Sequence, residues 1–178
     1  MTDQERDQAA ERSGPFWDAV HGRAPLPPAA ATLGFEFIDA DLENRTIELA
    51  FTGTEAFTNP TGNVLGAFQA AMLYDTVGPA LLATLEPDQF QSTLEMSVHF
   101  LRPVRPGRIV GRGRVVHRDG DLAVLEAELL DPKQETIATA TATARVIPAR
   151  GGRERAIAPR PLRRRWSRRR PGSPRPRR

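Results

Sequence analysis

The hydrophobic and polar positions of the chain follow two periods, which predict strands in most segments and one long helix. Residues 46–51 alternate polar with apolar side chains after a β-prone run at residues 35–38, so we predict a hairpin that turns at Asn44-Arg45. Residues 64–85, in contrast, are almost continuously apolar or small, over a length that exceeds that of a strand. This segment predicts a helix buried on most of its sides.

Prolines affect the predicted elements in the long helix and in the N-terminal segment. Gly78-Pro79 is expected to kink or break the long helix, because proline lacks the helical N–H and its ring clashes with the preceding turn. Near the start, residues 15–20 predict a short helix that begins with a proline and has an apolar side. Residues 25–28 contain three prolines and predict an extended connector.

Four further strands are predicted after the helix. Residues 108–117 and 122–131 are joined by Asp119-Gly120, which is a strong hairpin signal. Residues 136–147 alternate threonine with alanine, so one face of that strand is small enough for close packing. Residues 93–101 alternate apolar with polar side chains, and the alternation predicts one buried face. The side chains of that face are Leu94, Met96, Val98 and Phe100.

The order of elements is two strands, one long helix and four antiparallel strands, which defines an α+β fold. A helix that is apolar all round needs apolar partners on every side. An antiparallel sheet that curls around the helix covers much of its surface, and the sheet of a second copy closes the rest. We therefore predict a hotdog fold, in which an antiparallel sheet wraps around one long central helix, in a dimeric protein.

The distribution of charge divides the chain into an acidic body and a basic tail. Residues 1–148 hold 12 Lys and Arg and 21 Asp and Glu, a net charge of 12 − 21 = −9. The remaining residues hold 13 Arg and one Glu, a net charge of +12, with prolines throughout. We divide the chain into a disordered N-terminus at 1–14, a short helix and Pro-rich connector at 15–30, a hotdog domain at 31–148 and a disordered Arg/Pro-rich tail at 149–178.

Composition excludes several kinds of site. The chain has no Cys, and His21, His99 and His117 are widely spaced, so we expect no metal site and no thiolate nucleophile. It has no apolar run of roughly 18 residues that would predict a membrane span. Residues 1–11 lack the pattern of a secretory signal. We expect a cytoplasmic protein.

Four stretches resemble the PaaI-like branch of the hotdog thioesterases in their order and spacing. They are PPAAATLGF at 27–35, FTNPTGNVLGAFQAAMLYD at 57–75, TLEMSVHFLRPVRPG at 93–107 and RVVHRDG at 114–120. The likeness covers residues 15–148 and implies an enzyme that hydrolyses acyl-CoA thioesters, with its active sites at the interface of a homodimer. It implies no cofactor beyond the CoA of the substrate.

The resemblance also implies where the catalytic groups lie. The family pattern is an Asn, a Gly, a His-Gly-Gly motif that opens the helix, an acid two turns later and a Ser or Thr on the next strand. Two positions depart from that pattern, because Leu65 replaces the His and Tyr74 replaces the acid, which Asp75 follows. By spacing, the pattern falls on Asn59, Gly62, Leu65, Gly66-Ala67, Tyr74 and Thr93.

Several of these residues have a catalytic and a structural interpretation. Gly66 lies near a helix N-terminus, where its N–H could hold the oxyanion of a reacting thioester, or it could simply permit close packing. Asn59 and Thr93 could position water or substrate, and an Asn before Pro also suits a turn. Both interpretations stay open at each position.

The base of the reaction has two candidates. Hydrolysis needs a carboxylate as nucleophile or as general base toward water. Tyr74 is a poor base at neutral pH, although its phenol could hydrogen-bond a carbonyl. Asp75 is a carboxylate, but successive helical residues point about 100° apart, so it does not point where residue 74 points. It is either the base, through a local change of helical winding, or a structural carboxylate.

Substrate-binding candidates lie on the helix and on the later strands. Leu65, Phe68 and Met72 are predicted to line an apolar acyl pocket and could equally be core residues. Four arginines lie where the resemblance places CoA phosphates, which the paired donors of Arg suit, although each could also be a solvated residue of the sheet edge. These arginines are Arg102, Arg105, Arg108 and Arg118.

Three functions follow from these observations. The first, which we expect, is an acyl-CoA thioesterase with Asp75 as base. The second is a non-catalytic acyl-CoA-binding or scaffold dimer, and it differs from the first in whether Asp75 enters the pocket. The third is nucleic-acid binding through the tail at 149–178, with the hotdog domain as a dimeriser. The sequence leaves open whether a dimer pairs further into a tetramer.

Overall fold

The central element of the protein is a long helix that packs on one six-stranded sheet. The computed structural model describes residues 12–149. The segments predicted to be disordered at the two ends lie largely outside these residues. The helices are α1 (Pro15–Val20), α2 (Pro28–Leu33) and α3 (Gly66–Leu82), with a 3-10 turn at Glu55–Phe57. The strands are β1 (Glu36–Asp41), β2 (Thr46–Gly53), β3 (Gln89–Phe100), β4 (Gly107–Asp119), β5 (Leu122–Leu130) and β6 (Thr136–Pro148).

All neighbouring strands of the sheet are antiparallel, in the order β1-β2-β4-β5-β6-β3. Both predicted hairpins are present. Arg45 turns the first with a φ of 57°, and Gly120 turns the second with the same φ, a left-handed conformation that glycine adopts freely. Helix α3 contacts chiefly β4 and β5. This is the predicted hotdog arrangement.

Two glycines bring α3 close to β4. A Cβ on Gly111 would lie 2.5 Å from Oγ1 of Thr76, and a Cβ on Gly113 would lie 2.9 Å from the carbonyl oxygen of the same residue. Neither position has room for a side chain, so the helix rests against the strand. Fully buried side chains on the neighbouring strands, such as Leu49 and Leu125, complete the core.

Of the kink or break predicted at Gly78-Pro79, the break is wrong, since α3 continues through Pro79 to Leu82. Proline cannot donate to the carbonyl of Asp75, so the helix loses one internal hydrogen bond there. Val77 and Leu81, on either side of the proline, are fully buried. Their burial offsets the missing hydrogen bond and keeps the turn helical.

The N-terminal helices belong to the same core as the sheet. Trp17 of α1 is 1% exposed, and its Nε1 donates to the carbonyl of Ala83 just after α3. The connector prediction is partly wrong, because α2 begins at Pro28 and only residues 25–27 remain extended. Proline suits the first position of a helix, where its missing N–H has no partner in any case.

The apolar side chains of strand β3 are more exposed than predicted. Leu94 and Phe100 are each 54% exposed, while Met96 and Val98 are half-buried. The strand lies at the edge of the sheet, and a bulge between Thr93 and Glu95 shifts its register against β6. The sequence of β3 does alternate polar with apolar residues, but β3 is an edge strand and has a neighbouring strand on one side only. The predicted alanine face of β6 is buried.

Neither a membrane-spanning helix nor a metal-binding cluster occurs among residues 12–149. None of the helices there has both the length and the apolar character that crossing a bilayer requires. In the same residues, no three His, Asp or Glu side chains come together as a group that could hold a metal ion.

Candidate active site

A largely apolar cavity of about 280 Å³ lies between α3, the two N-terminal helices and the start of β3. Its polar wall consists of Tyr74, Asp75 and Gln91. Cavities of this kind, apolar with a few convergent polar groups, are typical of small-molecule sites. The remaining lining residues are Pro15, Phe16, Ala19, Val20, Leu26, Pro27, Ala30, Phe35, Gly78, Pro79, Leu82 and Phe90.

Asp75 is half-buried in the wall of this cavity. Its Oδ2 is buried and has no hydrogen-bond partner among the described residues. Burial raises the pKa of the Asp75 carboxyl from an ordinary value near 3.8 to about 6. A carboxyl with such a pKa is about ten to one ionised at neutral pH, and it accepts a proton more readily than an ordinary aspartate.

Tyr74 and Asp75 both line the cavity, although they leave the helix in different directions. Tyr74 is 47% exposed, whereas Asp75 is half-buried. The sequence suggested that Asp75 needed a change of helical winding to reach a pocket. Helix α3 is continuous, and Asp75 reaches a cavity because α1 and α2 build one on its side.

Thr93 does not line the cavity, but it is hydrogen-bonded to Gln91, which does. Gln91 is 8% exposed, and its Nε2 lies 3.0 Å from where a Cβ on Gly78 would be, so the glycine makes room for the amide. Its Oε1 accepts a hydrogen bond of 3.2 Å from Oγ1 of Thr93. Sequence reasoning missed Gln91 because the strand was predicted to begin at residue 93, whereas β3 begins at Gln89. The polar and apolar residues that alternate from Gln89 to Gln91 could have shown that the strand begins earlier.

The N-terminus of α3 holds the second group of predicted residues. Leu65 precedes the helix, and its carbonyl accepts from the N–H groups of Phe68 and Gln69 at 2.9 and 3.3 Å. The N–H groups of Gly66 and Ala67 have no acceptor among the described residues, as expected for a first helical turn. They are therefore available to an oxyanion.

Two side chains surround this helix start. The ring of Phe100 lies against Gly66, where a Cβ would come 3.2 Å from its Cζ. Gln69 is buried, and its Nε2 donates to the carbonyl of Val64 at 2.9 Å, while its Oε1 has no partner in residues 12–149. Sequence reasoning did not single out Gln69, since a lone polar residue in an apolar helix gives no sign of its direction.

Asn59 stabilises the loop before α3. Its Oδ1 accepts from the N–H groups of Thr61 and Asn63 at 3.0 and 3.2 Å and from Oγ1 of Thr61 at 2.7 Å. These bonds occupy the carbonyl oxygen of the side chain, which is the pattern of a turn-forming Asn. Its Nδ2 has no acceptor in the described part of the chain.

The apolar substrate-binding candidates are separated by the fold. Met72 is fully buried in the core, and Phe68 stacks on Phe57 with their ring centroids 4.1 Å apart. Leu65 is 43% exposed beside the helix start. None of the predicted three lines the cavity that contains Asp75.

The four arginines predicted near CoA phosphates have different partners. Arg102 pairs with Glu135 at 2.6 Å, and Arg108 makes two hydrogen bonds with Glu36 at 2.6 and 3.0 Å. Arg105 donates to the carbonyl of Thr61. The fourth, Arg118, lines a different cavity, near the hairpin turns.

The two predicted parts of the catalytic set cannot meet within one subunit. Gly66 and Asp75 are nine residues apart on a continuous helix, which corresponds to about 13.5 Å along its axis. A reacting carbonyl has to lie within about 3 Å of an oxyanion donor and within hydrogen-bond reach of the base. A complete site with these groups therefore needs a second copy of the chain.

Comparison with known proteins gives a consistent result. The family model of the thioesterase superfamily matches residues 61–138. The structure of a phenylacetic acid degradation-related protein from Ralstonia eutropha JMP134 is 38% identical, with 73% of this chain and 98% of that one covered and a TM-score of 0.71. No curated protein shows a significant match.

Two more distant structures show the same fold. The PaaI protein of the E. coli phenylacetic acid degradation operon is 19% identical, with 74% of this chain and 93% of that one covered, at a TM-score of 0.66. A thioesterase from Haemophilus influenzae is 18% identical, with 79% and 96% covered, at a TM-score of 0.67.

Proposed function

Because this chain belongs to the PaaI-like branch of the hotdog thioesterase superfamily, we propose that it hydrolyses an acyl-CoA thioester to the free acid and CoA, as a homodimer with Asp75 as its base. The observation that carries the proposal is the Asp75 carboxylate, which has one buried and unpartnered oxygen on the wall of an apolar cavity. A buried carboxylate without a partner is costly to the fold, and such groups are concentrated at functional sites.

In the proposed reaction, the acyl group occupies the apolar cavity and Asp75 takes one proton from water. The water oxygen then bonds to the thioester carbon, and the negative charge develops on the carbonyl oxygen. The intermediate collapses as the carbon–sulfur bond breaks. The proton held by Asp75 passes to the thiolate, which releases the carboxylic acid and CoA. No cofactor takes part other than the CoA of the substrate.

The oxyanion in this proposal is held by the partner subunit's Gly66, since the same subunit's helix start is too far from Asp75. Dimer formation is supported by the exposed apolar side chains on the edge strand β3, such as Leu94 and Phe100. A free edge strand with apolar side chains is a ready surface for a second copy.

Other polar groups position the substrate in the proposal. The Tyr74 phenol, at the cavity wall, donates to the substrate carbonyl, and Gln91 and Thr93 together orient the water. Arg102 and Arg118 are the proposed contacts for the CoA phosphates, and Arg102 then exchanges its surface carboxylate partner for phosphate. The proposed compartment is the cytoplasm.

The test is hydrolysis of short, long and aromatic acyl-CoA esters by the purified full chain, followed by trapping of the released thiol. Asp75→Asn is expected to lower kcat at least about a hundredfold, because general-base catalysis contributes that much or more. The matched control is Asp88→Asn, which makes the same chemical change at an exposed carboxylate outside the cavity and is expected to retain full activity.

The outcomes separate the candidate functions. Turnover that survives in folded Asp75→Asn would place the base elsewhere and overturn the proposed role. A folded protein that binds CoA esters without hydrolysing any of them would favour the non-catalytic binding dimer, in which Leu65 and Tyr74 have replaced catalytic groups. Nucleic-acid binding through residues 149–178 would be independent of the cavity, and it falls largely outside the described residues.

A further inference from the structure

A second cavity lies at the opposite end of α3 from Gly66, where the β1–β2 and β4–β5 hairpins turn. It has a volume of about 380 Å³ and is lined by three arginines, Arg12, Arg45 and Arg118. Leu42 and Val115 provide apolar wall beside them. No residue of this cavity lines the cavity that contains Asp75.

These arginines differ from most others in the described chain. Six arginines form ion pairs with carboxylates, namely Arg23, Arg102, Arg108, Arg112, Arg114 and Arg145. Within residues 12–149, four do not, and three of those four line this one cavity. The same residues contain 17 Asp and Glu against 11 Lys and Arg, so a shortage of carboxylates is not the reason.

Most donors of the three guanidinium groups remain available to a ligand. Arg12 donates from Nη1 to the carbonyl of Ala83 at 3.1 Å, and Arg118 donates from Nε to the carbonyl of Gly120 at 3.3 Å. Arg45 makes no side-chain hydrogen bond among the described residues. Since a guanidinium has five N–H donors, each of these side chains can still bind an anion with a pair of parallel bonds.

The partial negative charge at the C-terminal end of α3 does not cancel the positive charge of the three arginines. Carbonyl groups at a helix C-terminus repel anions when they are left free. Here the carbonyl of Leu81 accepts from the Thr84 N–H and hydroxyl, and that of Leu82 accepts from the Leu85 N–H. The carbonyl of Ala83 accepts from Arg12 and from the Trp17 indole.

We propose that this cavity binds a diphosphate group. Three guanidinium groups that each donate in pairs supply six N–H donors, which the terminal oxygens of a diphosphate can accept together, whereas a single carboxylate has only about four acceptor sites. Two sources of that chemistry exist: the diphosphate of CoA, to which the proposed function assigns Arg118, and a separate phosphorylated ligand. The last residue of α3, Leu82, is already about 10.5 Å beyond Asp75 along the helix axis, and the cavity lies past it at Thr84, so a ligand here does not touch the proposed base.

The test measures binding of inorganic pyrophosphate to the full chain by titration calorimetry at low salt. Arg118→Gln and Arg45→Asn each remove one guanidinium, and Asn is chosen at residue 45 because it tolerates the positive φ there. The control is Arg105→Gln, which removes an arginine that also lacks a carboxylate partner but lies against the loop at Gly62. Thermal melts establish that all the variants fold.

We expect saturable pyrophosphate binding that each cavity variant weakens at least about tenfold, in line with the loss of charge-assisted hydrogen bonds. The control should stay within about twofold. Absence of saturable binding would overturn the proposal, and so would equal losses in all three variants, which would indicate general electrostatics. Competition with free CoA then identifies the source, since displacement assigns the diphosphate to CoA and lack of displacement assigns a separate ligand.

Discussion

The two halves of the central helix α3 differ in how continuously they are buried. From Thr76 to Leu81 every residue of α3 is buried, and α1 covers the helix end through Trp17. Before that point Leu65 and Tyr74 are more than 40% exposed, and the first N–H groups are free for a ligand. The N–H groups that have no acceptor in residues 12–149 therefore lie at the exposed end, and the Asp75 carboxyl, whose Oδ2 has no partner in those residues, directly precedes the run of six buried residues.

Under the proposed function, this difference means that one subunit supplies only part of the reaction site. One half of α3 is completed by the chain's own N-terminal helices, which build the apolar cavity. The other half is left open next to the exposed apolar side chains of the edge strand. In the proposed dimer, a second copy covers the exposed surface and supplies the oxyanion donor.

The largest expected effect is on stability at the covered end. Trp17→Ala is expected to lower the free energy of unfolding by about 3–5 kcal/mol, because it removes a fully buried indole and leaves a cavity. Leu65→Ala, at the open end, is expected to cost less than about 1 kcal/mol. Urea unfolding followed by circular dichroism measures both values. Equal costs would mean that the two halves of α3 are not packed differently.

A smaller effect concerns pH. The pKa of the Asp75 carboxyl is raised to about 6, so the folded chain holds this proton more tightly than the unfolded chain does. The contribution to stability is complete below about pH 4 and is lost as the pH rises through 6, with a total loss of about 3 kcal/mol.

Asp75→Asn removes this titration, and the comparison of its unfolding with that of the unmodified chain isolates the group from other carboxylates. We expect the variant to be the more stable protein at pH 7 and the difference to vanish near pH 4. A constant difference between pH 4 and pH 8 would contradict the raised pKa. Because the variant also lacks the proposed base, gain of stability and loss of hydrolysis should occur together.

The smallest expected effect is at the open edge. Leu94→Glu places a charge on β3 at an exposed apolar position and is expected to weaken dimer formation at least about tenfold without unfolding the subunit. Sedimentation at several concentrations measures the association. Val116→Glu, at a similarly exposed position of β4, serves as the matched control. A dimer that resists the change at Leu94 would place the interface elsewhere.

Much of the fold could be predicted because its signals are local. The short helix at Pro15–Val20 has the predicted bounds, and both hairpins turn where Asn44-Arg45 and Asp119-Gly120 indicated. The alternative of a helix break at Pro79 was wrong, because burial of the flanking residues outweighs the lost hydrogen bond. Strand β3 was assigned a buried face that its edge position leaves exposed.

The candidate site was predictable only in part. The likeness at residues 57–75 directed attention to Gly66 and Asp75, which lie at a helix start and on a cavity wall. Gln91 was missed, and the cavity wall is built from residues of α1 and α2 rather than from Phe68 or Met72. Hydrophobic periodicity reports that a side chain is buried, but it does not report against which neighbour.

By itself, the sequence determined the order of the six strands and of α1 and α3, the hairpin turns and the family, since these depend on neighbours in the chain and on the spacing of a few residues. Only the tertiary structure decided the environment of Asp75 and the convergence of Arg12, Arg45 and Arg118 on one cavity. The physical reason is that desolvation and charge clustering arise between residues distant in sequence. Those distances are set when α1 packs on the end of α3 and the hairpins turn beside it.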